Sequence, residues 1–242
     1  MCVTSNYMYH TSISHRFATG FRTWKDGDVA NAVGEPTSVY LREHHAGEWT
    51  RAIEHSLITQ TADGTIEDAV FDRWIVMNTE FLRTYRRFFI VMGTLAPDTR
   101  SSTVMVKGLQ STDYEIEESE QYAEQQGIDL VYEPTAQEMD YSSFVMATAA
   151  QGWSRGLIAT FGIEALYYDT WSWVRRQVTP DHRYWRFIDL WSNDYQRRYV
   201  RDLCVLVDAV PLTTELERIF RSVTRLERAS WDEAQWLDGA VS

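Results

Sequence analysis

The sequence predicts an all-α protein, a bundle of about seven helices, and three observations carry that prediction. From Thr37 onward, apolar residues recur at helical spacing. Only 12 Gly and 5 Pro punctuate 242 residues, fewer than strands joined by tight turns would need. A hydrophobic content of 44% and an aromatic content of 14% exclude a disordered chain and supply one sizeable core.

Residues 1–36 are polar, rich in Ser, Thr, Asn and Gly, and show no sustained period; they are expected to form a poorly ordered extension before a helical domain at 37–242. The first helix is predicted from Val39 to Leu57, ahead of the turn signal Asp63-Gly64. Thr65 is expected to cap the second, with Glu67 and Asp68 in its first turn. That helix carries Phe71, Trp74, Asn78, Phe81 and Tyr85 on one stripe and turns apolar on every side at Phe88–Met92, which predicts burial all round. Leu95-Ala-Pro97 breaks it. A third helix follows over Ser101 to Gln126, with Gly127 as its C-terminal cap and the acidic run Asp113–Glu120 as a solvated face.

A fourth helix begins after Pro134 and points Met139, Phe144, Val145 and Ala149 inward. Gly152 and Gly156 flank an expected break before the fifth, Leu157 to Gln177. Thr179-Pro180 is expected to start a sixth, running to about Val207. After Pro211, Thr213 or Thr214 caps a last helix ending near Leu237.

Charge narrows the function classes. A net charge of -12 argues against nucleic-acid binding, which needs clustered cations. Lys25 and Lys107 are the only lysines; an acidic, lysine-poor surface suits a high-salt cytoplasm, although a GC-rich genome gives the same arginine bias. Cys2 and Cys204 cannot make a disulfide framework, and no run is long enough to span a membrane. With no signal-peptide pattern at the N-terminus, a soluble cytoplasmic protein is expected.

Polar residues on otherwise buried stripes mark where chemistry could sit. Glu164, Tyr168 and Trp171 fall at i, i+4 and i+7 on the fifth helix and share a face. A glutamate among aromatics is either a structural hydrogen-bond anchor or a titrating group with a raised pKa. Glu227 precedes Trp231 by four residues on the last helix, though flanking Arg225 and Arg228 suit a surface ion pair. Tyr141, Trp191 and the set Asn78, Phe81, Tyr85 add aromatics and an amide from three further helices. Aromatic stripes are ordinarily plain core; with convergent polar groups they would also wall a pocket for a flat, polar heterocycle.

The stretch Phe71-Asp-Arg-Trp-Ile-Val-Met-Asn-Thr-Glu-Phe-Leu, the segment Tyr141-Ser-Ser-Phe with Ala147-Thr-Ala-Ala, the run Leu157 to Tyr168 and the pair Glu227…Trp231 resemble, in order and spacing, the TenA/thiaminase II family. Glu48-Trp49 and His55 are similar to its opening helix. The resemblance covers Thr37 to Trp236 and implies a haem-oxygenase-like bundle, hydrolysis of aminopyrimidines in thiamin salvage, no cofactor or metal, a small-molecule pyrimidine substrate and a homo-oligomer. The family's nucleophilic cysteine falls on Glu164, so the chain looks like the glutamate branch, which acts on aminomethylpyrimidine or its N-formyl form. The resemblance assigns catalysis to Glu164 and Glu227 and substrate binding to Asn78, Phe81, Tyr85, Tyr141, Tyr168 and Trp191. One departure stands out: the family usually shows Gln-Asp where this chain has Met77-Asn78, and an amide cannot act as a base.

Three rival readings remain. A haem-binding protein of the same fold would draw its ligand from His44, His45 or His55. A di-iron carboxylate protein needs Glu-x-x-His pairs, and Glu43-His44-His45 lacks that spacing. A non-catalytic pyrimidine-binding or regulatory protein would explain Asn78.

Overall fold

The structure, a computed structural model, describes residues 35–236, so the extension expected at 1–36 falls almost wholly outside them. The described residues form ten helices: α1 Thr37–His44, α2 Ala46–Ile53, α3 Ser56–Asp63, α4 Asp68–Leu95, α5 Thr99–Gln126, α6 Ala136–Ala150, α7 Trp153–Arg175, α8 Trp185–Ser192, α9 Asp194–Asp208 and α10 Thr214–Trp236. Long α4 and α5 pack side by side, and α7 runs through the middle, touching α2, α3, α4, α6, α8, α9 and α10. None of these helices is long and apolar enough to cross a membrane.

Ten rather than seven arises from local capping. The expected first helix is three, because His45 leaves helical geometry at φ −107°, ψ 22° and His55 caps α3 by accepting the Leu57 N–H at 3.2 Å. The expected sixth is two, divided where the Asn193 side chain accepts from the Tyr195 and Gln196 amides. Thr179-Pro180 starts no helix; residues 179–184 form turns and α8 begins at Trp185. Thr65 is likewise no cap: its amide and hydroxyl both turn back to Asp63, and Glu67 precedes α4.

Other expectations hold. Gly127 closes α5 at φ 70° and Thr213 accepts the Leu216 amide ahead of α10; a reciprocal capping box of Thr135 and Glu138, not foreseen, starts α6. The break before α7 lies at Gly152 alone; Gly156 sits inside the helix, where a Cβ would strike Met92 of α4.

Trp74, Trp171, Trp191 and Trp231 are all fully buried, and each such side chain contributes on the order of 2–3 kcal/mol of hydrophobic stabilisation. The burial expected all round Phe88–Met92 is one-sided: Phe88, Phe89 and Met92 are buried, whereas Ile90 is 47% exposed. Met139 does not point inward either, and is more than half exposed.

Candidate active site

Where α4, α6, α7 and α10 meet, a cavity of about 140 Å³ opens. Asn78 and Phe81 of α4, Tyr141 of α6, Tyr167 of α7 and Glu227 of α10 line it, with exposed Met139 at its rim. Behind it lies a chamber of about 20 Å³ lined by Tyr85, Glu115, Glu164, Trp191 and Gln196. Asn78, Phe81 and Tyr167 line both spaces, which therefore adjoin at these side chains.

Helix geometry explains the convergence. Asn78, Phe81 and Tyr85 succeed one another at i, i+3 and i+7, a single stripe of α4. Phe81 stacks on Tyr141 at 4.6 Å between ring centroids and on Tyr85 at 5.4 Å, giving a flat aromatic wall. Glu227 is buried to 2% exposure, its carboxylate accepting the Tyr141 hydroxyl. The surface ion pair suggested by Arg225 and Arg228 is absent: Arg225 donates to Ser222 instead.

Burial raises the Glu227 carboxyl to about 8 against the opposing pull of the Tyr141 hydroxyl. Glu164 keeps some accessible surface because it borders the chamber. Its surroundings are nonetheless dry enough to raise it to about 8, through desolvation first, then the neighbouring charges of Glu115 and Glu227. The Tyr85 hydroxyl faces Glu164 and opposes that rise, but closes no hydrogen bond of normal geometry. Near neutral pH both glutamates are therefore largely protonated, able to give a proton before they accept one.

Two corrections concern the walls. Tyr168 lines neither space; Tyr167 does, its hydroxyl donating to Asn78 Oδ1 at 3.1 Å. At 100° per residue, positions 167 and 168 flank Glu164 on opposite sides, and the cavity lies on the side of 167. Trp191 and Tyr85 face the inner chamber rather than the larger cavity.

Glu115 is a residue that sequence reasoning missed. It belongs to the acidic run expected to be solvated, yet is only 8% exposed, and burial raises its carboxyl to about 7. The signal was present: Gly108, Thr112, Glu115, Ser119 and Ala123 recur at helical spacing as one narrow buried stripe. Gln196, also unforeseen, is the buried residue of the first turn of α9, where Asp194, Tyr195 and Arg197 are exposed.

The histidines of the haem reading lie elsewhere. His45 pairs with Glu217 at 2.8 Å, His55 with Asp232 at 3.1 Å, and His44 stacks on Tyr40. None lines either space. Cys204 sits on α9, partly buried, with its sulfur 3.9 Å from Arg42 Nη2 and away from both spaces.

Fold and site together define a helical bundle enclosing an aromatic cavity with a hydrogen-bonded acid and a second acid behind its wall. The chain belongs to the TENA/THI-4/PQQC family, whose sequence profile matches residues 42–240. It is similar to an aminopyrimidine aminohydrolase of Halalkalibacterium halodurans, 28% identical over 206 residues, covering 77% of this chain and 89% of that protein. Its fold is similar to a TenA homologue from Pyrococcus furiosus, with a TM-score of 0.77 at 24% identity over 82% of this chain and 99% of that one. A putative TenA-like thiaminase from Sulfolobus solfataricus superposes with a TM-score of 0.72 at 15% identity, over 84% of this chain and 98% of that one.

Proposed function

We propose that the chain is a thiamin-salvage hydrolase of the glutamate branch, converting aminomethylpyrimidine, or its N-formyl form, to hydroxymethylpyrimidine. One observation carries the reading: two glutamates with raised pKa values border adjoining spaces that share an aromatic lining, and the charge of Glu227 helps to raise Glu164. A cavity of about 140 Å³ suits a single-ring heterocycle, since drug-sized ligands occupy roughly 300 Å³ or more. That size, with no thiol in the lining, disfavours thiamin itself. The name of the Halalkalibacterium halodurans relative supports the same substrate class.

In this reading the ring lies against Phe81 and Tyr141 while the unpartnered Asn78 Nδ2 donates to its edge. Glu227 shares its proton with a ring nitrogen as the exocyclic C–N bond weakens, and Tyr141 steadies the carboxylate left behind. Glu164 gives its proton to the departing nitrogen and, as the carboxylate, takes one from the attacking water.

The test is to follow pyrimidine alcohol formed from thiamin, aminomethylpyrimidine and N-formyl-aminomethylpyrimidine. Turnover of either of the last two is expected, and Glu164→Gln should lower kcat by roughly a hundredfold or more. Parental turnover by that variant would refute the assignment. Binding of the alcohol without turnover of any of the three would favour a non-catalytic pyrimidine binder, with Asn78 as the cause.

A further inference from the structure

The inner chamber gathers more unsatisfied polarity than a structural core tolerates. Buried polar groups in folded proteins are nearly always hydrogen-bonded, and each one left unmet costs on the order of 1–3 kcal/mol. Yet Gln196 Oε1, on a side chain 5% exposed, has no hydrogen-bond partner among the described residues, and the Tyr85 hydroxyl and Trp191 indole N–H, on side chains 2% and 1% exposed, face the Glu164 and Glu115 carboxyls without closing hydrogen bonds of normal geometry. All three residues line the chamber. Gln196 spends its amide nitrogen on Ser111 Oγ at 3.2 Å, which leaves its oxygen to face inward. Three helices besides α7 thus supply a donor–acceptor set around the Glu115 and Glu164 carboxyls.

We propose that this chamber binds the single hydrolytic water, with Glu115 positioning it against Glu164. The inference rests on the hydrolase reading and deepens it. A volume of about 20 Å³ just exceeds the roughly 10–15 Å³ that one water requires, and excludes any organic ligand. A bound water commonly makes two to four hydrogen bonds; here Tyr85 and Trp191 can donate, while Gln196 and the two carboxyls can accept. Asn78, Phe81 and Tyr167 line both the chamber and the ring's cavity, so the water's approach to the exocyclic methylene runs between these side chains.

The step balances without a further reactant. Glu164 gives a proton to the amine nitrogen, and the C–N electron pair leaves with that nitrogen. The water oxygen bonds to the methylene carbon and returns one proton to Glu164. The ring proton shared with Glu227 goes back to it, so water and aminomethylpyrimidine become hydroxymethylpyrimidine and ammonia. Glu115 exchanges no proton with the substrate; it holds the water.

Glu115→Leu replaces a buried acid with an apolar group of similar volume, a change that commonly preserves stability. We expect kcat on aminomethylpyrimidine to fall about a hundredfold while KM and affinity for the pyrimidine alcohol stay within roughly threefold. Glu115→Gln keeps hydrogen-bonding capacity and should fall less. A high-resolution crystal structure of the unaltered protein should show one ordered water within about 3.2 Å of Glu115. A parental kcat in Glu115→Leu, with the unaltered protein active, would overturn this proposal and leave the hydrolase reading intact. No turnover by the unaltered protein would overturn both. If Glu115→Leu fails to fold, the kcat-against-KM split in Glu115→Gln and the crystallographic water decide.

Discussion

Tyr141 gives its phenolic hydrogen to Glu227, both side chains being almost wholly buried, and so offsets part of the rise that burial imposes on that acid. A donor to a buried carboxylate contributes roughly 1.5–3 kcal/mol, and one pH unit corresponds to about 1.4 kcal/mol. Tyr141→Phe should therefore move the Glu227 limb of the pH profile upward by about one unit or more, measured as kcat/KM or pyrimidine affinity against pH; an unmoved limb would show that the bond does not hold Glu227. The same acids shape stability. Glu164 and Glu227 bind a proton more tightly folded than unfolded, rising from 4.5 to about 8 in the native state. Stability is then lost as pH rises from about 4.5 through about 8, the reverse of a salt-bridged carboxylate. The Tm should fall between pH 5 and 8.5, and Glu227→Gln, neutral throughout, should flatten that fall. A Tm that climbs over this range would contradict the burial of these groups.

Among the helices, the hydrophobic period was legible wherever it ran unbroken, which is why α4, α5, α6, α7 and α10 stand close to their expected places. The divisions at His45, His55 and Asn193 were not: His45 merely leaves helical geometry, His55 and Asn193 cap neighbouring amides with their side chains, and either device leaves the apolar pattern on both sides almost in phase. Asn193→Ala removes the acceptor for two amides and should cost about 1 kcal/mol in urea unfolding. Two glycines separate packing from propensity. A Cβ at Gly108 would strike Phe89 of α4 and Tyr199 of α9, so Gly108→Ala should destabilise by roughly 1–3 kcal/mol. A Cβ at Gly93, on α4, meets nothing within 4 Å, so Gly93→Ala should stabilise by about 0.5–1 kcal/mol. Equal effects at the two sites would mean that helix propensity alone governs them.

At the scale of the whole molecule, Asn78, Phe81, Tyr141 and Glu227 line one cavity; their stripes alone fitted plain core or a surface ion pair, the family resemblance was what placed them in a site, and neither foretold that Glu164 would border a second space. Which side of a helix faces an internal space depends on how neighbours rotate about it; that chose Tyr167 over Tyr168 and buried Glu115 inside an acidic run. With 35 acidic residues against 23 Lys and Arg, the folded chain gathers its surplus negative charge into a small volume, while unfolding spreads it out. Raising NaCl from about 0.1 to 1 M shortens the screening length from roughly 10 to 3 Å. Repulsion between distant carboxylates is then largely removed. Pairs in contact, such as Lys107–Asp202 at 2.7 Å, lose less, and exposed pairs of this kind contribute only about 0–1 kcal/mol each. The repulsive term should dominate: about 1–2 kcal/mol relieved at roughly 2–4 °C per kcal/mol gives a Tm higher by about 3–8 °C in 1 M NaCl. Chloride is the proper test salt, because sulfate would strengthen apolar burial in any protein. A Tm that stays level or falls would mean that the surface ion pairs, not the net charge, govern the salt response.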